Sequence, residues 1–154
     1  MNIHWEIKKF EELTVKELYT IMQLRLAVFC VEQNCAYQDA DGKDPKCFHL
    51  MGIDIAGELI AYSRIVPAGI SFTEVSIGRV ISSAQARGTG AGKELMNYSL
   101  EFIEKQYGKV PVRIGAQCYL IKFYSTFGFE ISGNEYLEDN IAHIEMLRLP
   151  NKRI

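Results

Sequence analysis

The stretch Arg87-Gly88-Thr89-Gly90-Ala91-Gly92-Lys93 is built to meet an anion. Three alternating glycines remove the Cβ atoms that keep a ligand off the backbone, and they permit the positive φ of a tight turn. Ala91 to Met96 has helical composition, so the loop opens into a helix whose first-turn N–H groups lack partners. Aligned peptide dipoles favour a negative charge at such an end by roughly 0.3–1 kcal/mol, and phosphate is its natural guest. A Walker loop is excluded, because the spacing from Gly88 to Gly92 is one residue short and Glu94 stands where the magnesium-binding hydroxyl belongs. The dinucleotide fingerprint is a poor match as well: the glycines alternate strictly, and at least three strands precede them.

Other chemistry-bearing residues point away from metals. Cys30, Cys35, Cys47 and Cys118 form no CxxC pair, and adding His49 to the first three gives none of the short paired spacings of a structural zinc site. Asp39, Asp41 and Asp44 invite a calcium reading, but Phe48 occupies the place of the glutamate that an EF-hand needs six residues beyond Gly42. The segment 31–45 is therefore expected to be a loop with Asx-type turns, or one that meets a cationic acceptor. Arg25, one turn before Phe29, reads as a solvated helical arginine, as an acceptor contact, or, with Glu32, Asp41 and Glu138, as part of a network that only pins the helix to the loop.

The elements that must position these groups follow from hydrophobic period and punctuation. Ile3, Trp5 and Ile7 alternate with polar residues as in a half-buried strand. Thr14-Val15-Lys16-Glu17 is a capping box, and the apolar stripe from Leu18 to Phe29 predicts a helix reaching Cys30 or Glu32. Phe48–Ile55 and Leu59–Val66 read as a hairpin, the run around Val75 to Ile81 as the strand before the glycine loop, and Leu95 to Tyr107 as the helix after it. Val112 to Ala116 is a further strand, Gln117 to Phe127 a short helix stopped by Gly128, and Glu130-Ile131 and Ile144 to Leu149 the terminal strands.

The chain of 154 residues suits one domain, residues 1–154, with one core; it is 48% hydrophobic and 23% charged, with a net charge of −2. No basic stripe calls for nucleic acid, and no apolar run approaches a membrane span. Met1 to Phe10 carries Trp5, Glu6 and paired lysines where a signal peptide would have an apolar core, so a cytoplasmic protein is expected.

Both Gln85-x-x-Gly88-x-Gly90 and Arg87-x-x-Gly90-x-Gly92 fit the pattern Gln/Arg-x-x-Gly-x-Gly/Ala, and Phe123-Tyr124-x-x-Phe127-Gly128-Phe129 is similar to FYxxxGF. Together these resemble the pyrophosphate loop and the closing motif of the GCN5-related N-acetyltransferases (GNAT). Arg25 to Tyr37, Asp41-Gly42-x-Asp44, His49-Leu50, Ile77 to Val80, Ala116-Gln117 and Glu138 to Met146 extend the likeness over nearly the whole chain, to the ElaA branch of that superfamily. Cys30, Ser82, Asn140 and Ala142 depart from the branch pattern, the last two in a late turn before His143. Arg25-x-x-Val28-Phe29 is also faintly similar to acyl-homoserine-lactone synthases, without other support.

The resemblance implies an α/β (α+β) acyltransferase fold, with a mixed, mostly antiparallel, splayed sheet of six to seven strands flanked by helices. It implies acetyl-CoA as donor and no metal. Arg87, Gly88, Thr89, Gly90, Ala91, Gly92 and Lys93 would hold the pyrophosphate. Val80, Ile81 and Ser82 would offer backbone groups to the pantetheine arm, with Gln117, Phe123 and Tyr124 completing the donor site. Tyr124 would protonate the departing thiolate, since thiol and phenol pKa values of about 8.5 and 10 make the transfer nearly thermoneutral. Glu32, Glu74, Glu138 and His143 remain open as bases. Arg25, Glu32, Asp41 and Glu138 would line the side of a small-molecule or peptide amine acceptor. The chain would act as a monomer or homodimer. A non-catalytic acyl-CoA-binding or sensing domain is the alternative, and it would have no use for an acid at Tyr124.

Overall fold

The computed structural model describes residues 2–150; residue 1 and residues 151–154 of the expected domain lie outside the described residues. Strand β1 (His4–Lys9) leads through a short 3-10 turn to helix α1 (Val15–Arg25). Thr14 caps α1 in the expected box: its hydroxyl accepts from Glu17 N at 3.0 Å, and Glu17 accepts from Thr14 N at 2.8 Å. The helix continues to Glu32, but residues Leu26–Glu32 widen into π-helical turns, with Gln33 N donating to Val28 O and Cys35 N to Cys30 O. A loop and a 3-10 turn (Asp44–Lys46) then precede the hairpin of β2 (Phe48–Ile53) and β3 (Leu59–Val66). β2 stops short of Ile55 because the Asp54 carboxylate takes the amides of Ala56 and Glu58 into a turn.

Strand β4 (Ser76–Ser82), helix α2 (Ala91–Tyr107), β5 (Val112–Gln117), a 3-10 turn and the short α3 (Ile121–Ser125) follow. The chain closes with β6 (Phe129–Ile131), β7 (Tyr136–Glu138) and β8 (Ile141–Arg148). Among the described residues there are eight strands, where six or seven were expected. β7 is only three residues long, and its turn to β8 consists of Asp139 and Asn140 at φ of 51° and 64°, a two-residue hairpin loop. β8 begins at Ile141 for the same reason, and the expected helix from Gln117 to Phe127 is divided between the 3-10 turn and α3.

The strands form two sheets, ordered β1-β2-β3-β4 and β5-β8-β6, with β7 also on β8; every pairing is antiparallel. The sheets meet at one parallel bridge, Val75 to Val112, supported by Arg113 N donating to Val75 O at 3.0 Å. Beyond it β4 and β5 run in the same direction and splay apart, as the fold expectation requires.

The main buried cluster joins both sheets to α2. Leu95, Met96 and Ile103 of α2 pack against Leu50, Ala61, Ile65, Val75, Ile77, Val112, Ile114 and Met146. On the opposite face α1 covers Met51, Tyr62 and Ile81 through Ile21, with Val28 beyond it. β2 and β3 are thus buried on both faces, which is why they read as continuous apolar runs rather than alternating ones.

Candidate functional site

Splaying leaves a cleft of about 1290 Å³ between β4 and β5. Its β4 wall is shaped by a bulge: Tyr62 pairs Ile81 but Arg64 pairs Gly78, so β4 spends three residues where β3 spends two, and Arg79 takes φ of 49°. Among the described residues, the edge of β4 away from β3 has no strand partner past Val75. Its outward backbone groups along Val80, Ile81 and Ser82 can pair with an extended, amide-bearing ligand, apart from Ser82 O, which accepts from Arg87 Nε at 3.2 Å.

The glycine loop closes one end. Ala86 N donates to Ser83 O, and Thr89 donates to Ala86 O through both its amide and its hydroxyl. Gly88 and Gly90 have φ of 78° and 89°, and a Cβ added at either would meet nothing within 4 Å. The first helical bond of α2 runs from Glu94 N to Gly90 O, which leaves the amides of Ala91, Gly92 and Lys93 without intrahelical partners. Arg87, Gly88, Gly90, Gly92 and Lys93 line the cleft. Thr89 and Ala91 shape the loop instead, the former through its hydroxyl and the latter by packing its methyl against Ile60 and Ala86.

Tyr124 and Phe123 line the opposite wall, locked edge-to-face at 5.2 Å, with Phe129 against Tyr124 at 6.1 Å. Tyr124 is only 6% exposed, and its hydroxyl takes no hydrogen-bond partner among the described residues. Burial, with a smaller push from Tyr119, lifts this phenol well above its ordinary range, so it stays protonated.

Gln117 and His143 face each other in the β5–β8 register and both line the cleft. The end of the π-helical segment and the turn after it cross the opening through three side chains. Glu32 takes Arg87 in a two-pronged ion pair at 2.6 and 3.0 Å, Gln33 exchanges amide bonds with Gln117 at 3.2 and 3.3 Å, and the Cys35 thiol donates to Asp139 O at 3.2 Å. Arg87 holds the Glu32 carboxyl below its usual range.

Two expected site residues lie elsewhere. Arg25 is fully buried: Nε donates to Asp39 at 2.7 Å and Nη1 to Asp44 at 2.7 Å, so it pins α1 to the following loop and offers no clamp to an acceptor. Glu74 lies outside the cleft, in a shallow depression of about 500 Å³, where Arg113 engages it at 3.1 and 3.2 Å and lowers its carboxyl pKa. Asp41 reaches the cleft wall, but Arg64 grips it bidentately at 2.8 and 2.9 Å.

Sequence reading missed Arg64 and Arg79, which with Arg25 neutralise Asp39, Asp41 and Asp44. It also missed Gln33, Phe72 and Tyr136. Tyr136 leans over Gly115 so closely that a Cβ there would sit 2.7 Å from its hydroxyl. Arginines in the middle of apolar strand runs were the available signal, because a buried guanidinium requires acids. The four groups of the zinc reading do not converge: the Cys47 thiol donates to Lys43 O, His49 is held by Tyr62 and Asp44 O, and among the described residues no three His, Cys, Asp or Glu side chains form a metal-holding group. Among those residues, too, no helix is long and apolar enough to cross a membrane.

A splayed sheet, a bulged β4 edge and a glycine loop opening a helix define an acyl-CoA transferase architecture. The model of the acetyltransferase (GNAT) domain matches residues 27–149, and the chain belongs to that family. Protein ElaA of Escherichia coli (strain K12) is 44% identical over 148 residues, 95% of this chain and 96% of ElaA. The crystal structure of E. coli ElaA superposes with a TM-score of 0.89 at 43% identity over 96% of this chain and 99% of that one. An acyl-CoA N-acyltransferase from Pseudomonas aeruginosa gives 0.90 at 42% identity, again over 96% and 99%. An aminoglycoside 6'-N-acetyltransferase complexed with coenzyme A shares the fold, with a TM-score of 0.69 at 18% identity over 97% and 99%.

Proposed function

We propose that this protein transfers the acetyl group of acetyl-CoA to a primary amine by direct attack, with Tyr124 as the acid for the leaving thiolate. The observation that carries the reading is the meeting, in one cleft, of an open anion cradle at the start of α2 and a buried phenol whose proton is uncommitted. The donor fits: three free amides, the Arg87 guanidinium and Lys93 suit a pyrophosphate, and the unpaired β4 edge suits a chain of amides. An aminoglycoside acetyltransferase of the same fold is complexed with coenzyme A, which is consistent with such a donor. When bound, acetyl-CoA supplies a thioester already activated toward amines. Val80 to Ser82 orient it, one amide of this edge stabilises negative charge on the carbonyl oxygen, and Tyr124 Oη gives its proton to sulfur. The protein is read as cytoplasmic, with a small-molecule or peptide amine as acceptor. Acetyl-CoA turnover with thiol release, against a panel of amines, peptides and polyamines, tests the proposal; donor binding without turnover of any of them rejects it in favour of a sensing domain.

Gly90→Val is expected to weaken acetyl-CoA binding at least tenfold in isothermal titration, because a side chain at φ of 89° is strained and projects into the cradle. Gly57→Val carries similar strain at φ of 84° in the remote β2–β3 turn and is the control; equal losses in both would reject the cradle. Glu32→Gln should raise donor affinity severalfold, more at low salt, by releasing Arg87 for phosphate. Unchanged affinity would mean that Arg87 does not meet the donor.

A further inference from the structure

Four groups were open as the base, and geometry separates them. Glu32 is committed to Arg87, and Glu74 lies outside the cleft under Arg113. Glu138 stands at the rim with its side chain 62% exposed. His143 is 8% exposed, lines the cleft, and has one ring nitrogen fixed: Nδ1 lies 2.7 Å from Ile141 O. A carbonyl only accepts, so Nδ1 carries the proton and Nε2 holds the lone pair. The ring stacks on Tyr136 at 5.7 Å and 25°, and Nε2 is 3.6 Å from a Glu138 carboxylate oxygen. The ionisable groups beside it are Tyr136 and Glu138 from β7, with Glu145 of β8 and Cys118 just past β5 acting on Tyr136, and Asp139 of the turn, whose carbonyl meets Cys35 from the turn after the π-helical segment.

We infer that His143 is the catalytic base, taking the proton of the attacking amine at Nε2, with Glu138 as a positioning residue that stabilises the imidazolium. The inference rests on the transferase reading above. The ammonium loses one proton to Nε2, which passes it to solvent. The amine nitrogen then bonds to the acetyl carbon as the C–S bond breaks. Sulfur takes the Tyr124 proton, and the nitrogen's second proton restores Tyr124. One proton is released per amide formed. The acidic rim of Glu138 and Asp139 would draw a cationic amine, and the burial of Arg25 withdraws it as a carboxylate partner.

The test is kcat against pH, using acetyl-CoA with propylamine, spermidine and lysine, for the wild type, His143→Asn and Glu138→Gln. Asn keeps a donor for the Ile141 carbonyl and removes Nε2. Expected are an acid limb in the wild type that stays in place between amines of different pKa, and its loss in His143→Asn with a fall of about 10² in kcat. Acetyl-CoA affinity and melting temperature should be unchanged. Glu138→Gln, at the exposed rim, should move the limb to lower pH, since the imidazolium loses its anion. A fall in rate with the limb intact overturns the assignment and leaves His143 structural. If His143→Asn does not fold, an unmoved limb in Glu138→Gln overturns it equally. A wild type that acetylates none of these or any other primary amine removes the transferase reading together with the base, whereas an active wild type matched by His143→Asn removes the base alone.

Discussion

Tyr124→Phe is expected to fold, to bind acetyl-CoA as the wild type does, and to lose roughly 10²–10⁴ in turnover. The substitution keeps a ring whose edges are already set by Phe123 and Phe129, and it breaks no hydrogen bond to the described residues. What goes is a proton that burial holds on the phenol. The same desolvation raises the proton affinity of a thiolate formed in the cleft, so acid and leaving group stay matched although neither has its value in water. Single-turnover measurement separates the chemical step from product release. An unchanged single-turnover rate would show that another donor protonates sulfur.

The second large effect is on stability. Asp44 Oδ1 accepts from Arg25 at 2.7 Å and from Arg64 at 2.9 Å, and both guanidinium groups are almost wholly buried. Asp44→Asn leaves two cations sharing too little negative charge out of water, a loss of about 3–5 kcal/mol, or on the order of 10 °C in melting temperature for a chain of this size. Glu101→Gln, which breaks only the exposed pair with Lys105, is the control and should leave the melting temperature unchanged. Burial opposes ionisation of Asp41 and Asp44, yet Arg64 and Arg25 overcome it and hold both carboxyls below their ordinary value of 3.8. Their stabilisation is therefore complete above about pH 4 and is lost as pH falls below it. Calorimetry across that range checks the sign, and a network already weakening at pH 6 would contradict it.

The donor side of the cleft was legible in the sequence because its parts are contiguous: a loop, a helix start and an aromatic run each lie within ten residues. The capping box at Thr14 was legible for the same reason. The arginine–aspartate network was not, since its six members come from α1, the loop after it, β3 and β4, and their meeting is a tertiary event. Read singly, Arg25 looked solvated, an acceptor contact or a pin between helix and loop, and the aspartates looked like turn residues. β7 escaped because three residues give no period to detect, and its turn uses Asp139 and Asn140 rather than glycine at positive φ. The bulge at Arg79 leaves no mark in a run of apolar residues, although it shapes the wall that the donor arm would follow.

The single bridge from Val75 to Val112 also divides the chain along its length. One sheet is made wholly from residues up to 82 and the other wholly from residues after 111, so each assembles from its own half of the polypeptide with short loop closures. The cleft is the seam between halves. The β4 edge is contributed by the earlier half, Tyr124 and His143 by the later, and α2 with its glycine loop is the only long element strung between them. Alignment of donor with proton-handling groups is thus a matter of how two separately built pieces are clasped, and substitutions beneath α2 far from any reacting atom can detune it while leaving every functional side chain in place.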